Sequence, residues 1–316
     1  MNKADAAAGP LVSLVVTSYN HAEYLDQRMR SLLAQTYPNI EINVIDDASP
    51  DASAEVLDKY KDYPNVRITV LDKNQGYAHA TNLGVRLSKG EFVMIAECDD
   101  FNDPTHVAVL LEKMLAHPTV GVAFCRSKMV DGNGVVWGDD FVYREQAFKK
   151  MCAGGALIEK KMIQKFFLIS CVIPNMSAAL LKKKYFNLAG GLSPKYRACA
   201  DWDFWCRIAR QCDFYYVAAP LNNFRTHAAS VRSTSGIQLP LLEIITLLYG
   251  YFSGAALTIS ERFKFRVNIG IIWSSYASEG FLPWAKSFFV IWRHTLQYEK
   301  LSLVYLLFGF LKKIIP

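Results

Sequence analysis

Glu97, Asp99 and Asp100 crowd three carboxylates directly behind the apolar run Glu91-Phe92-Val93-Met94-Ile95-Ala96, which reads as a buried strand. Acids packed at the mouth of such a strand repel one another and lose hydration, so the cluster is stable only with positive charge beside it. A divalent cation meets that need. Hard carboxylate oxygens suit Mg²⁺ or Mn²⁺, which keep some waters and share their sites with the oxygens of a substrate phosphate.

The elements that position this cluster follow from the apolar pattern. Leu11 to Val16 is a short β-rich run, ended by the polar turn Thr17-Ser18-Tyr19-Asn20 and followed by the helical spacing of Tyr24, Leu25, Met29, Leu32 and Leu33. Ile40 to Ile45 is a second strand ending in Asp46-Asp47-Ala48-Ser49, with a helix from Ala54 to Tyr60; Val66 to Leu71 is a third. Asn74-Gln75-Gly76 then opens a helix carrying Ala78, Ala80, Leu83, Val85 and Leu87, which leads into the strand behind the acids. Strands alternating with helices predict an α/β fold, a mostly parallel sheet flanked by helices, with ligands beyond the carboxyl ends of the strands. Tyr19 and Asn20, Asp46 and Asp47, and Glu97 to Asp100 are therefore expected at one edge. The first turn lacks glycine, which excludes a GxGxxG dinucleotide loop and a GKS/T phosphate loop. Phosphate must be held some other way, and a metal on the carboxylates would do so.

Further along come a helix, a strand from Val120 to Cys125, the turn Asp131-Gly132-Asn133-Gly134, and mixed loop and helix from Glu145 to Lys165. Pro174 to Leu181 reads as the entry to another strand, and Asp201-Trp202-Asp203 opens a helix running through Ile208. Acids in a helix's first turn also serve the helix dipole, a reading that stays open for both aspartates and is the stronger one for Asp203.

With 316 residues, 52% hydrophobic and 20% charged, the chain holds one large domain, 1–235, and a helical appendage, 236–316. Seven cysteines without a CxxC pair argue against a disulfide framework or a zinc site and read as small buried residues. A charge of +6 is too modest for a nucleic-acid partner. Lys160-Lys161, Lys182-Lys183-Lys184 and Lys312-Lys313 suit either anionic lipid headgroups or plain solvation. Leu301 to Leu311 is almost wholly apolar, yet eleven residues cover only about 16 Å of a bilayer core of roughly 30 Å. It does not span. Trp284, Phe288, Phe289 and Trp292 alternate with Lys286, Arg293 and His294, which fits helices lying in a membrane interface or packing on the catalytic domain or another subunit. The first ten residues carry no apolar signal segment, so a cytoplasmic location, peripheral on the inner face of the membrane, is expected.

The order Val15-Val16-Thr17-Ser18-Tyr19-Asn20, Gln35-Thr36-Tyr37-Pro38-Asn39-Ile40-Glu41, Ile45-Asp46-Asp47-Ala48-Ser49-Pro50-Asp51, Asn74-Gln75-Gly76, Asn82-Leu83-Gly84, Glu97-Cys98-Asp99-Asp100 and Asp201-Trp202-Asp203 resembles the family 2 inverting glycosyltransferases of GT-A fold, over about residues 11 to 232. The resemblance implies a nucleotide-sugar donor, usually UDP-linked, and Mn²⁺ or Mg²⁺. It places the base-binding aromatic on Tyr19, the nucleobase-contacting aspartate on Asp47, the DxD acids on Glu97 and Asp99 with Asp99 as metal ligand, and the catalytic base on Asp201. His227 resembles the late histidine near the donor diphosphate, while Thr17, Asn20, Asn74, Gly76 and Asn82 fall on donor-side positions. With the apolar tail, it suggests a glycan or lipid-linked acceptor in cell-envelope polysaccharide synthesis, at a membrane surface.

Three positions depart from the family pattern. Glu97 lengthens the first DxD arm by a methylene, Thr81 replaces a frequent cation, and Ala48 replaces a usual glycine with no chemical effect expected. A sugar-phosphate nucleotidyltransferase also uses a metal beside a parallel sheet, but it has a glycine-rich basic first turn that this chain lacks. A non-catalytic Mg²⁺-binding α/β module would use Asp46 and Asp47 and leave Asp201 and the tail without a purpose.

Overall fold

The apolar runs set between polar turns become neighbouring strands of one sheet. The computed structural model describes residues 9–173, 175–227, 238–252, 257–276 and 281–314, the side chains of 238, 275–276, 281–287 and 313–314 excepted. Outside this description fall most of the N-terminal stretch read for a signal segment, Pro174, the expected boundary at 235/236, and the side chains of Trp284, Lys286 and Lys313. The chain divides into two compact units: Met1–Ile163 with Cys171–Pro194 and Ala200–His227, and Gln164–Ser170 with Lys195–Cys199 and Ala228–Pro316.

The first unit holds a sheet of β1 Val12–Ser18, β2 Ile40–Asp46, β3 Val66–Val70, β4 Phe92–Glu97, β5 Phe101–Asn102, β6 Val120–Val130, β7 Val136–Asp139, β8 Ala156–Ile158, β9 Ala179–Lys182 and β10 Asp213–Arg225. Its order is β3-β2-β1-β4-β9-β6-β10-β5, with β7 on β6 and β8 on β10. Every residue of β1 is buried, which is why that strand reads as an apolar run rather than an alternation. From β3 through β2 and β1 to β4 the pairing is parallel, as it is between β6 and β10. By contrast β9 runs antiparallel to both β4 and β6, and β5, β7 and β8 also pair antiparallel. The sheet is therefore mixed where the sequence predicted it mostly parallel. An apolar run marks a strand but carries no sign of its direction.

Register decides where the site falls. Thr17 lies opposite Glu97 and Ser18 opposite Asp46, so β1, β2 and β4 end level and their following loops share one edge. Helices α1 Ala22–Leu33, α2 Ser53–Asp58, α3 Tyr77–Leu87, α4 His106–Ala116, α5 Lys183–Leu188 and α6 Ala200–Ile208 accompany the strands. A Cβ on Gly84 would run into Val15, so glycine lets α3 press directly on β1. The cysteines are free, and all but Cys171 are buried. The lysine triplet is not a lipid-facing patch: Lys182 is buried and donates to the Pro118 carbonyl at 2.9 Å, Lys183 donates to the Ser88 carbonyl, and Lys184 lies over the Tyr185 ring.

The second unit contains α7 Gln238–Phe252, α8 Ile259–Tyr276, α9 Phe281–Thr295 and α10 Ser302–Ile314. Helices α8 and α10 cross through Gly270 and Gly309, where a Cβ on either would collide with the other helix's backbone. Trp273, Ile245, Leu248, Ile291 and Leu306 are buried, whereas Val304, Leu307, Phe308 and Leu311 on α10 are exposed. No described helix is long and apolar enough to cross a membrane.

At the start of α4, His106 is fully buried, and burial first, then the Arg28 charge, push its pKa down to about 3. The unfolded chain, with a histidine pKa near 6.5, binds a proton that the folded state refuses between roughly pH 6.5 and 3. Stability is thus lost as pH falls through that window. His106→Leu is expected to flatten the acid side of the stability curve by up to about 1.4 kcal/mol per pH unit, read from urea unfolding at pH 7, 6 and 5.

Candidate active site

The acidic loop that follows β4 is braced by arginines from distant segments. Arg28, on the buried face of α1, donates from Nε to the Glu97 carbonyl at 2.8 Å, and its other nitrogens donate to Asn102 Oδ1 and to Ser177 Oγ at 3.1 Å. Arg225, at the end of β10, gives its backbone N–H to Asp100 Oδ1 at 2.9 Å and its Nε–H to the Asp99 carbonyl at 2.7 Å. The same guanidinium reaches the carbonyls of Asp131 and Gly132 and lies 4.6 Å from the Tyr24 ring centroid. Part of the positive charge that the sequence assigned to a metal is therefore built into the protein.

The three carboxylates end up in different states. Burial, reinforced by Asp99, holds Asp100 up to about 7 against the pull of Arg28. Burial and then the charges of Asp100, Asp99 and Asp201 push Glu97 well above the carboxylate range, although its Oε2 accepts the Met176 N–H at 3.1 Å. At Asp99 burial also raises the pKa, but the hydrogen bond from His227 and the fields of His21 and His227 prevail and bring it below the usual value. Asp99 is thus the acid of the loop whose ionised form the surroundings favour, with its side chain 24% exposed.

Asp99 Oδ2 lies 3.1 Å from His227 Nε2, whose ring is only 6% exposed. His21, at the N-cap of α1, packs its ring edge-on to that of His227 with centroids 5.2 Å apart. One ligand atom each from His21, Asp99 and His227 lie within 4.8 Å of one another, a group able to hold a metal ion. Sequence reasoning missed His21, Arg28 and the role of Arg225. Signals existed, since His21 directly follows the flagged Tyr19-Asn20 turn, Arg28 interrupts the apolar face of α1, and Arg225 lies two residues before His227.

Around the acidic loop, the ends of β1 and β2 are tied together. The Asp47 N–H donates to the Ser18 carbonyl at 2.9 Å, and the Asn20 N–H to Ser49 Oγ at 3.0 Å. Asp46 holds Ser49 in turn, accepting from its N–H at 2.9 Å and its hydroxyl at 2.7 Å. Asp47 is buried and accepts the N–H groups of Gln75 and Gly76 at 2.8 and 2.7 Å, which fixes the 74–76 loop under the strand end. Gly76 has φ +90°, a conformation suited to glycine, and caps α3. Tyr19 is 43% exposed, Asn74 is exposed, and Thr17 is buried in β1 opposite Glu97.

Asn82 is placed differently from the donor-facing expectation. Both ends of its amide are engaged by the Leu192 backbone, at 2.9 and 2.8 Å, so it ties α3 to the turn after α5. Asp201 opens α6, accepts the Trp202 N–H at 2.7 Å, and lies close enough to the acidic loop for its charge to raise both Glu97 and the Tyr77 phenol. Asp203 pairs with Arg207 at 2.8 Å, the helix-bracing role its position allowed.

Comparison with known proteins gives a consistent match. Residues 13–186 fit the family described as Glycosyl transferase family 2. The chain is 31% identical over 183 residues to the Glycosyltransferase GlyG of Streptococcus pneumoniae serotype 4, an alignment covering 56% of this chain and 58% of that protein. The crystal structure of S. aureus TarS 1-349 in complex with UDP-GlcNAc aligns with a TM-score of 0.70 at 15% identity, over 95% of this chain and 89% of that one. Mannosyltransferase PcManGT from Pyrobaculum calidifontis, in complex with GDP-Man and Mn²⁺, aligns with a TM-score of 0.56 at 17% identity, over 97% and 87% of the two chains. At these identities the structural likeness is one of fold, the GT-A type.

Ala48 has φ +59°, in the left-handed region where a Cβ is strained. The departure from glycine at this position therefore has an energetic consequence that the sequence did not suggest. Ala48→Gly is expected to raise stability by about 1 kcal/mol, measured as a shift in the urea midpoint at unchanged m-value.

Proposed function

The chain belongs to glycosyltransferase family 2, and on that premise we propose that it moves a sugar from a UDP-linked donor to a hydroxyl of a glycan or lipid-linked acceptor, inverting the anomeric carbon, with Mn²⁺ or Mg²⁺ as cofactor. The reading is supported by β1, β2 and β4 ending level, so that the loops of Tyr19, Asp47 and Asp99 share one edge, and by Asp201 lying close enough for its charge to raise Glu97. The nucleotide-sugar complexes of TarS and PcManGT, the latter with Mn²⁺, lend support from proteins of the same fold.

In this reading residues 1–235 carry the chemistry and 236–316 form a helical extension. The exposed Tyr19 ring stacks on the uracil, a contact worth about 1–3 kcal/mol in nucleic-acid systems. Asp47 keeps lone pairs beyond the two used by Gln75 and Gly76, and these accept from the base. Thr17, Asn20, Asn74 and Gly76 line the same edge along the ribose and diphosphate. Glu97 lies beside Asp99 on the same edge as a further donor-side polar group. Asp99 and His227 would hold the divalent ion, whose contribution is to neutralise charge on the departing diphosphate. Asp201 takes the proton from the acceptor hydroxyl as that oxygen attacks the anomeric carbon from the face opposite the diphosphate. The bond to the diphosphate breaks as the new glycosidic bond forms, so one in-line displacement inverts the centre.

The acceptor side rests on the second unit. Val304, Leu307, Phe308 and Leu311 recur on α10 at helical spacing and are exposed, which suits an interfacial helix on an anionic membrane, peripheral on its inner face, where envelope polysaccharide is assembled on lipid carriers.

A panel of nucleotide-sugars with Mn²⁺, scored by thermal shift and donor hydrolysis, tests the function; a flat response to every donor would overturn it. Asp201→Asn is expected to lower kcat by roughly 10²–10⁴-fold while donor binding survives, and wild-type turnover would remove Asp201 from the base role. Phe308→Glu is expected to weaken co-sedimentation with anionic vesicles by about tenfold or more. Unchanged sedimentation would sink the interfacial helix.

A further inference from the structure

We propose that His21, Asp99 and His227 together form a two-imidazole, one-carboxylate metal centre, and that this donor set selects a first-row transition ion over Mg²⁺. The inference rests on the reading of Asp99 as the cation ligand of the donor site, and it adds a ligand and a metal preference to it.

The argument begins with the tautomer of His21. Its Nδ1 lies 2.7 Å from the Tyr19 carbonyl oxygen, and since a carbonyl only accepts, Nδ1 carries the hydrogen. In the neutral ring Nε2 then bears the lone pair. That atom is buried and has no hydrogen-bond partner among the described residues, an arrangement that costs about 1–3 kcal/mol unless something occupies the lone pair. A backbone carbonyl on one ring nitrogen is the arrangement that orients the other toward a metal.

The His21 ring lies beside the pair Asp99 and His227. The ligand atoms of all three residues lie within 4.8 Å of one another, and His227 Nε2 stands 3.1 Å from Asp99 Oδ2. A cation would replace the proton shared by that pair, because metal binding requires a deprotonated imidazole nitrogen. The surroundings hold the ligands in place. Arg225 grips the Asp99 carbonyl and lies over the Tyr24 ring, and Tyr24 packs 5.1 Å from His227. Among the described residues, the Asp99 carboxylate is bonded by the His227 side chain rather than by an arginine.

Donor chemistry then sets the preference. Mg²⁺ favours hard oxygen ligands and retained water, whereas imidazole nitrogen suits first-row transition ions, and two histidines with one carboxylate leave open positions on an octahedral ion. Those positions are available to diphosphate oxygens.

The test uses full-length protein with Mn²⁺ as the probe, in the presence and absence of UDP, followed by electron paramagnetic resonance and its ¹⁴N echo modulation, with Mg²⁺ as competitor. Two imidazole couplings are expected in the wild type and one in His21→Ala, with Mn²⁺ bound about tenfold or more weakly by the variant. Mg²⁺ is expected to displace Mn²⁺ only in roughly tenfold or greater excess. Fewer than two nitrogen couplings in the wild type, equal competition by Mg²⁺, or no Mn²⁺ binding under either condition would overturn the centre, and none of these readings depends on the variant folding. A nucleotide-sugar panel without response, alongside an intact two-nitrogen signal, would instead overturn sugar transfer and leave the metal centre standing.

Discussion

Burial of an acidic loop against two guanidinium groups is the constraint around which the first unit is organised. Arg28 is fully buried, and removing its guanidinium would leave the Glu97 carbonyl, Asn102 and Ser177 without donors, at about 1–3 kcal/mol for each buried group left unpaired. The arginine does not act alone. Its partner Asn102 donates to Asn222 Oδ1 at 2.9 Å, Asn222 donates to Asn175 Oδ1 at 2.9 Å and to Ser127 Oγ at 3.1 Å, and the Ser127 N–H reaches Asp140, which pairs with Arg144. A polar chain linked in this way is satisfied in one arrangement of its strands, so it specifies the sheet as well as stabilising it. The antiparallel β9 belongs to the same device: Ser177, just before it, accepts from the Glu97 N–H and from Arg28, which docks the turn against the end of β4.

The same constraint sorts the acids by function. The arginine side chains bond backbone carbonyls at Glu97 and Asp99 rather than the carboxylates, and the Asp100 carboxylate is taken by the Arg225 N–H. Burial and mutual repulsion hold the pKa values of Glu97 and Asp100 high, while Asp99, turned toward imidazoles, is held below the usual carboxylate value. Environments that push neighbouring titratable groups apart are the usual way a site assigns them different tasks.

Much of this was legible in the sequence, and the rest failed for an identifiable reason. Strands β1, β2 and β4 are buried as continuous runs, so their apolar pattern announced them, and alternation with helices was enough to bring Tyr19, Asp47 and Glu97 to one edge. What the pattern could not carry was pairing at long sequence separation. Arg28 meets Glu97 across 69 residues, Asn82 meets Leu192 across 110, and His227 meets Asp99 across 128. No local periodicity encodes such partners. Hence the arginines that brace the acidic loop, the bond between Asn82 and Leu192, and the carbonyl partners of Lys182 and Lys183 have no local signature in the chain.

Backbone strain at the same edge points to pre-organisation. Asn20 and Ala48 both have φ +59°, and they sit in the loops after β1 and β2, which are hydrogen-bonded to each other through Ser49. Asparagine tolerates this conformation and alanine does so at a cost, so the surrounding bonds must over-determine the turn. The result is a rigid ledge that presents Tyr19 and Asp47 without waiting for a ligand to order them, which reduces the entropy lost on binding. Asp201 lies on a different element, a helix that begins at Ala200, far beyond Ala48 in the chain. The ledge is thus fixed by local turns and the proposed base by tertiary packing, so their relative position depends on contacts made at long sequence separation.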